Sequence, residues 1–190
     1  MANKVLFGIS NLHVGTYTET TTTSGISVSL GTPYHQRGAV SMSPSENNEQ
    51  SDFYADDIKY YSTFTGGTFD GDLEVAMFDD TFKKQFMGYV TLTNGGVAVK
   101  KNATKPKVYI AFEVQGDTEA RRVIFYNCEF GAINRSYSTI TDTKEPQTET
   151  VSFTATGDTT TGVTMATLKP GDSGYSTLFT APAAPVISTT

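Results

Sequence analysis

The sequence contains no tryptophan, one cysteine and two histidines. The single cysteine, Cys128, excludes an internal disulfide, and its position in the apolar run VIFYNCEF predicts a small buried side chain. His13 and His35 stand far apart in the sequence, in surroundings that resemble neither a metal site nor a catalytic base. These scarcities disfavour disulfide-stapled folds, zinc sites and histidine-dependent hydrolases.

Long hydrophobic runs and excess positive charge are also absent. No apolar segment approaches the roughly 18 residues of a membrane-spanning helix, so we expect none. The opening MANKVLFGIS has one lysine and too short an apolar run for a signal peptide, which predicts synthesis in a cytosol. The formal net charge of −6 disfavours a nucleic-acid-binding domain with a basic patch, but it suits an acidic surface that does not adhere to DNA.

The sequence motifs that could indicate a catalytic, metal or nucleotide site are weak. Residues 171–174 (GDSG) match the core of a serine-protease nucleophile loop, but Tyr175 replaces the second glycine of that loop and no catalytic histidine is recognisable, which favours a plain turn. Asp70, Asp72 and Glu74 offer a calcium-like spacing without the other positions of an EF-hand. No phosphate loop or dinucleotide fingerprint is present. We therefore predict no enzyme activity, no metal and no cofactor.

The abundant residues are threonine, serine, glycine, phenylalanine and tyrosine, a composition that favours strands and turns. Apolar side chains alternate with polar ones at 26–30, 108–114 and 151–155, as in half-buried strands. The stretch 123–126 (VIFY) is apolar on both faces, which predicts that it is covered twice. The fold class predicted is mainly β: an antiparallel sandwich or barrel of about eight to ten strands with one short flanking helix.

The helix is predicted over about residues 79–88. Asp79 or Asp80 can cap its start, Phe82 and Phe86 share one face, and Gly88 stands at its end. Upstream of it, the aromatic stretch 53–61 predicts a strand. Glycine-rich pairs at 66–67 and 70–71 predict a turn region, and 73–77 predicts a second strand.

Four polar segments are predicted to lie outside the strands. Residues 18–25 (TETTTTSG) are expected to be a loop, and 100–107 (KKNATKPK) a basic loop that is either solvated or in contact with an acidic neighbouring subunit. Residues 44–52 are expected to be an exposed excursion. Residues 175–190 have the composition of a linker or C-terminal arm, which leaves 1–174 as the domain. The excursion supplies the candidate inter-subunit loop, namely Pro44, Ser45, Glu46, Asn47, Asn48, Glu49 and Gln50.

Six blocks of sequence, in this order, carry a resemblance to a known family. They are MANKVLFGISNLHV, FYADDIKYY, GDLEVAMFDDTFKKQFMG, the loop ATKPK at 103–107, RRVIFYNCEFG and EPQTETVSFTAT. Together they cover roughly residues 1–168, and the chain resembles the major tail proteins, or tail-tube proteins, of long-tailed, non-contractile bacteriophages of Gram-positive bacteria. The final residues APAAPVISTT resemble the linker that precedes an immunoglobulin-like domain in some relatives.

The resemblance implies a structural virion protein of the phage tail-tube type, a β-sandwich with one flanking helix. Six copies are implied to close into a ring, and rings to stack into the tail tube through which DNA is delivered. The implied partners are the protein itself and the tape-measure, tail-terminator and distal-tail proteins. DNA passes through without specific binding, and no membrane is involved. The implied location is the virion tail, assembled in the cytoplasm of the host bacterium.

A DNA conduit should repel phosphate, because lysine and arginine bind it strongly. Our hypothesis places Asp52, Asp56, Glu74 and Glu149 on the lumen face, with the serine and threonine side chains of 150–156. An alternative reading is a carbohydrate-binding β-sandwich, either an adhesin or a receptor-binding module. The cluster Tyr54, Tyr60 and Tyr61 is what the chain offers for stacking on sugars. A hydrolase built on Ser173 is the third possibility and ranks last.

Overall fold

The structure is a computed structural model that describes residues 8–23, 25–55, 58–139 and 146–188; for 49–55 and 58–65 it describes the backbone alone. The described residues form eleven strands and one helix, so the prediction of a mainly antiparallel β-fold with one short helix is confirmed. The strands are β1 (Gly8–Thr22), β2 (Gly25–Leu30), β3 (Tyr34–His35), β4 (Ala39–Ala55), β5 (Ile58–Val75), β6 (Val90–Thr91), β7 (Val97–Ala98), β8 (Val108–Gln115), β9 (Arg122–Arg135), β10 (Glu149–Ala155) and β11 (Met165–Leu168). The helix α1 is Asp80–Phe86.

Nine strands form one antiparallel sheet with the order β2-β1-β8-β9-β10-β5-β4. β3 pairs with β1, β11 pairs with the first part of β9, and β6 and β7 make a separate small hairpin. The sheet folds over its own apolar side but does not close, and its order ends at β2 and at β4. The architecture is therefore sandwich-like, and among the described residues the outer edges of β2 and β4 have no strand beside them.

Two apolar clusters cover the two faces of the middle strands. The larger lies between the folded halves of the sheet and α1, and includes Val123 and Phe125. The smaller lies on the other face and includes Ile124 and Tyr126. The prediction that 123–126 is covered on both sides is thus confirmed, and Cys128 is buried in the larger cluster as expected.

Two asparagines with positive φ lie at irregularities in strand pairing, which keep the apolar side chains on the same face of the sheet. Asn11 (φ 58°) lies where the pairing of β1 with β8 shifts by one residue. Asn127 (φ 50°) lies in β9 between the part that pairs with β11 and the part that pairs with β10. Asparagine tolerates this left-handed conformation better than most residues. After Asn127 the inward positions move from 123 and 125 to 128 and 130, so β9 remains apolar on its inner face throughout.

Helix α1 begins and ends where the sequence indicates. Asp79 is the N-cap, and its carboxylate accepts a hydrogen bond from the Phe82 backbone N–H at 2.7 Å. Phe82 and Phe86 are buried in the larger cluster, which anchors a helix too short to be stable alone. Gly88 has a φ of 68°, which lets the chain leave the helix in a left-handed conformation.

The largest difference from the sequence prediction is the hairpin of β4 and β5. Residues 44–52 were expected to be a loop, but they lie in β4 and pair with β5 along its length. The glycines at 66–67 and 71 do not turn the chain either, because β5 runs through them. Gly71 leaves room for a close contact, since a Cβ there would lie 2.5 Å from the Ser43 carbonyl oxygen. Residues 43–48 of β4 are exposed on both sides, and their polar side chains without a period hid this strand.

The polar tract 18–25 is likewise not a loop. β1 continues through Thr22 and pairs with β2, so that hydroxyl side chains extend an exposed two-stranded ribbon. β1 is described from Gly8 onward, and residues 4–7 lie outside the described part. The loop predicted at 100–107 is confirmed, and β8 and β9 pair as a hairpin. Within the described ranges, no helix is both long and apolar enough to span a bilayer.

Candidate assembly surfaces

A polar face extends over four neighbouring strands, β4, β5, β10 and the second half of β9. Residues that pair directly across an antiparallel sheet share a face, so the registers define its members. They are Ser41, Ser43 and Ser45 on β4, Asp70, Asp72 and Glu74 on β5, Thr150, Ser152 and Thr154 on β10, and Glu129 and Asn134 on β9. This set, called the polar face below, has four carboxylates, many hydroxyls and no lysine or arginine.

Hydrogen bonds hold two of these carboxylates in the charged form. Asp70 accepts from Thr154 Oγ1 at 2.5 Å and from Asn47 Nδ2 at 2.7 Å, and these bonds lower its pKa. Glu74 accepts from Thr148 Oγ1 at 2.6 Å and from Ser41 Oγ at 2.9 Å, which lowers its pKa in the same way. The polar face is therefore anionic at neutral pH and into mild acid.

The four predicted lumen acids do not come together on this face. Glu74 lies opposite Thr150, whereas Glu149 lies opposite Val75 and so belongs to the other side of the sheet. There Glu149 forms ion pairs with Arg135 at 2.7 Å and Lys83 at 3.5 Å. It also accepts a hydrogen bond from the Phe78 backbone N–H at 2.7 Å, ahead of α1.

The remaining predicted acids can be placed only in part. The backbone of Asp52 lies in the outer half of the β4–β5 hairpin, and Asp56 lies outside the described residues. The tyrosines proposed for sugar stacking, Tyr54, Tyr60 and Tyr61, fall where the backbone alone is described. Asp70 and Asp72 were not predicted for this face because Asp70-Gly71 was interpreted as a turn. The alternation of these acids with Leu73 was the sequence pattern that could have identified them.

The four strands that carry the polar face, called the polar half of the sheet below, have an unpaired edge on each side within the part of the chain that the structure describes. β4 is the last strand of the order. On the opposite side, β8 pairs with β9 no further than Cys128, so within the described residues the edge of 129–135 away from β10 has no strand beside it. Lys105 Nζ donates to the carbonyl oxygens of Phe130 (3.1 Å) and Gly131, which occupies the first acceptors of this edge. Unpaired edges are ready sites for pairing with another chain.

The outer half of the β4–β5 hairpin projects past the sheet. β10 pairs with β5 only as far as the pair Ala155 and Phe69, so in the described ranges the segments 47–55 and 58–68 have no strand beside them except each other. At about 3.3 Å per residue this ribbon is roughly 30 Å long. A two-stranded ribbon is marginally stable by itself in water. The candidate inter-subunit residues Pro44–Gln50 therefore lie on a strand that leads into the projecting ribbon.

The C-terminal residues 175–181, called the strap below, pack onto the smaller apolar cluster. Leu178 is buried there, and Phe179 packs against its edge. Arg122 Nη1 donates to the Tyr175 carbonyl oxygen at 2.6 Å, and the guanidinium lies over the rings of Tyr175 and Phe179. Sequence reasoning missed this docking; the spacing of Tyr175, Leu178 and Phe179 in a polar stretch was its signal. The domain boundary predicted at residue 174 stays a prediction.

The other residues considered as candidate sites make contacts that are typical of a structural role. Ser173 is exposed in a turn where Asp172 accepts a hydrogen bond from the Lys169 backbone N–H. His13 is buried and stacks on Phe179 and on His35, which is exposed. No group of three or more metal-ligating side chains occurs in the described part of the chain. In the basic loop, Lys107 pairs with Glu19 at 3.0 Å, while Lys100 and Lys101 are exposed.

Comparison with known proteins finds no matching family model and no matching curated protein. Among solved structures, the chain is similar to the tube-terminating cap of the anti-feeding prophage, with 10% identity, a TM-score of 0.48 and coverage of 89% of this chain and 96% of that one. It is also similar to a chain of the anti-feeding prophage baseplate, with 8% identity, a TM-score of 0.47 and coverage of 90% and 99%. Identities and TM-scores this low do not identify a function.

Proposed function

We propose that this chain is a structural subunit that assembles with copies of itself into rings, which stack into the tube of a phage-type tail and conduct DNA. The observation that carries the proposal is the polar half of the sheet, which has two free edges and one anionic face. The sequence resemblance to tail-tube proteins supports the same role. The larger apolar cluster and α1 lie behind this half, so its polar face is the side available to a lumen.

The strand directions suit head-to-tail closure. β9, β10, β5 and β4 alternate in direction, so β4 of one copy can pair antiparallel with 129–135 of the next. The contact joins two different surfaces, and such a contact gives a ring if the rotation closes. Closure removes both free edges, as in any closed barrel. Six copies, the number implied by the resemblance, make this a continuous barrel with the polar face inside.

The polar face gives the conduit its chemistry. In each subunit it presents Asp70, Asp72, Glu74 and Glu129 among hydroxyl groups and offers DNA no lysine or arginine. Carboxylates repel phosphate over about 10 Å at an ionic strength of 0.1 M, so DNA can pass without adhering. Asp52 and Asp56 remain proposed members through the hairpin. We leave Glu149 out, because two cations already pair with it on the other face.

The projecting ribbon is proposed to contact a neighbouring copy, which would supply the packing that a lone hairpin lacks. Tape-measure, tail-terminator and distal-tail proteins are the further partners that a tail tube requires. The virion tail is the proposed location, after assembly in the cytoplasm of the host. In this role the chain performs no catalysis.

Chemical crosslinking tests the edge-to-edge contact. Cys128 is buried and burial raises its pKa, so it should not react with the crosslinker. Any crosslink therefore comes from the introduced cysteines. The double variant Ser43→Cys/Ala132→Cys places one thiol on each free edge. A short bis-maleimide should convert assembled protein into a ladder of covalent oligomers whose last member gives the number of copies in the ring.

The single variants Ser43→Cys and Ala132→Cys are the matched controls and should give no ladder. A second control, Ser43→Cys/Asn94→Cys, keeps one edge thiol and moves the other to the β6–β7 turn. Negative-stain images of the same samples should show rings or tubes. A protein that stays monomeric at high concentration and gives no ladder would overturn the proposal.

A further inference from the structure

The strap is held to the domain by a stack of four side chains that includes both histidines. The Phe179 ring stacks on His13 with centroids 4.6 Å apart, and His13 stacks on His35 at 4.7 Å. The guanidinium of Arg122 lies 4.5 Å from the centre of the Phe179 ring on another side. Two titratable imidazoles and a permanent cation therefore meet at the place where the strap docks.

The protonation state of His13 follows from its contacts. His13 is only 8% exposed, and its Nδ1 lies 2.8 Å from the Asn11 carbonyl oxygen. A carbonyl oxygen can only accept, so Nδ1 carries the proton and neutral His13 leaves Nε2 unprotonated. A second proton would put a positive charge in a buried stack, next to His35 and near Arg122. Burial lowers the pKa of His13. The hydrogen bond to the Asn11 carbonyl raises it in part, the charges of His35 and Arg122 lower it, and the net direction is downward.

The charges around the stack come from three further elements. His35 on β3 is exposed, and Arg122 on β9 forms an ion pair with Glu113 of β8 at 3.6 Å. Glu113 also accepts a hydrogen bond from the Asn11 side chain at 3.3 Å. Glu113 thus neutralises part of the charge of Arg122 and already contacts both Arg122 and Asn11. A protonated His13 would face His35 and Arg122 without a carboxylate of its own.

We propose that the strap is a pH-sensitive latch, docked while the buried His13 that stacks on Phe179 is neutral and released when His13 is protonated. The direction follows from linkage. Docking lowers the pKa of His13, so docking is fully favoured above the pKa that His13 has in the released state and weakens as the pH falls below it. Release uncovers the smaller apolar cluster, including Tyr17, Ile124 and Tyr126.

Hydrogen exchange measured by mass spectrometry tests the latch on the full chain. After correction for intrinsic exchange rates, amides of 175–181 should exchange severalfold faster at about pH 5.5 than at about pH 7.5, a range that brackets the ordinary histidine pKa. Amides of β8 should stay protected at both values. No acceleration in the strap would overturn the proposal, and so would equal acceleration in β8, which signals global unfolding.

Two variants separate the latch from other effects of acid. His13→Asn/His35→Asn retains a donor for the Asn11 carbonyl but cannot titrate, so its strap exchange should not depend on pH. Persistent pH dependence in this variant would contradict the latch. Phe179→Ala undocks the strap, and by reciprocity the pKa of His13 measured by NMR should rise. An unchanged pKa in Phe179→Ala would equally overturn the proposal.

Discussion

At the scale of single residues, Asn127 decides whether β9 keeps its apolar side inward. Its φ of 50° and the 2.7 Å bond from its Nδ2 to the Gly157 carbonyl both hold the irregularity in place. Asn127→Ala should lower the free energy of unfolding by about 2–3 kcal/mol, since alanine pays about 1–2 kcal/mol for the left-handed conformation and loses a bond worth about 1 kcal/mol. Urea denaturation gives the value.

Asn127→Gly separates the two contributions. Glycine adopts the same φ without strain, so this variant should lose only the hydrogen bond, about 1 kcal/mol. Equal losses in the alanine and glycine variants would show that backbone strain at residue 127 has no part in the stability of β9.

Glu74 shows how neighbouring hydroxyls set the charge of the polar face. The bonds from Thr148 and Ser41 stabilise its carboxylate and lower its pKa. Thr148→Val/Ser41→Ala should therefore raise the pKa of Glu74 toward its ordinary value, which NMR titration of the side-chain carboxyl carbon measures. Since the folded pKa is depressed, the stability it contributes is present above the unfolded pKa and is lost as the pH falls through the folded one. A pKa that does not move would mean that solvent alone keeps Glu74 charged.

At the scale of elements, α1 depends on one of two adjacent aspartates. Asp79 caps the helix and also accepts a hydrogen bond from the Tyr34 hydroxyl, whereas Asp80 is exposed in the first turn. Asp79→Ala should cost about 2–3 kcal/mol, the sum of a lost cap and a lost side-chain bond. Asp80→Ala should cost less than about 1 kcal/mol, the size of its interaction with the helix dipole. Thermal or urea denaturation of both variants checks this, and similar losses would refute the assignment of the cap.

The sequence predicted the elements whose side chains repeat with a clear period. β8, β10 and the apolar run of β9 alternate or are wholly apolar, and α1 has a cap and two phenylalanines, so all four were found. The part of β4 at residues 44–48 was missed because exposure on both sides removes the alternation that identifies a strand. Its pairing is set by backbone hydrogen bonds, which leave no such trace in the order of residues.

The sequence predicted the chemical character of the candidate surface but not which residues form it. An acidic, hydroxyl-rich face was expected, and the structure contains one. Which acids share it depends on register, because a shift of one residue moves a side chain to the other face. That is why Glu74 lies on the polar face and Glu149 beneath it. Asp72 was overlooked because Asp70-Gly71 was interpreted as a turn, whereas β5 runs through both residues. The strap was missed for another reason: its docking depends on Arg122 and His13, which are distant in sequence.

At the scale of the whole molecule, the proposed function predicts how a tube with the polar face inside treats DNA. Asp72 is exposed on this face, and in the proposed tube Asp72→Lys would repeat one added cation in every subunit along the lumen. Since lysine binds phosphate, virions carrying the variant should eject DNA severalfold more slowly, while tubes of normal length still assemble. Fluorescence of a dye that binds released DNA gives the rate, and electron microscopy gives the tube length.

Asp80→Lys is the matched control for this experiment. It makes the same change of charge at an exposed aspartate on α1, which packs behind the sheet, away from the polar face. Because it adds no cation to the lumen, ejection from these virions should keep the unmodified rate. If both variants slow ejection equally, the delay comes from net charge and the polar face is not the lumen. If Asp72→Lys virions eject at the unmodified rate, DNA does not pass over β5, and the ring must be built with another face inside.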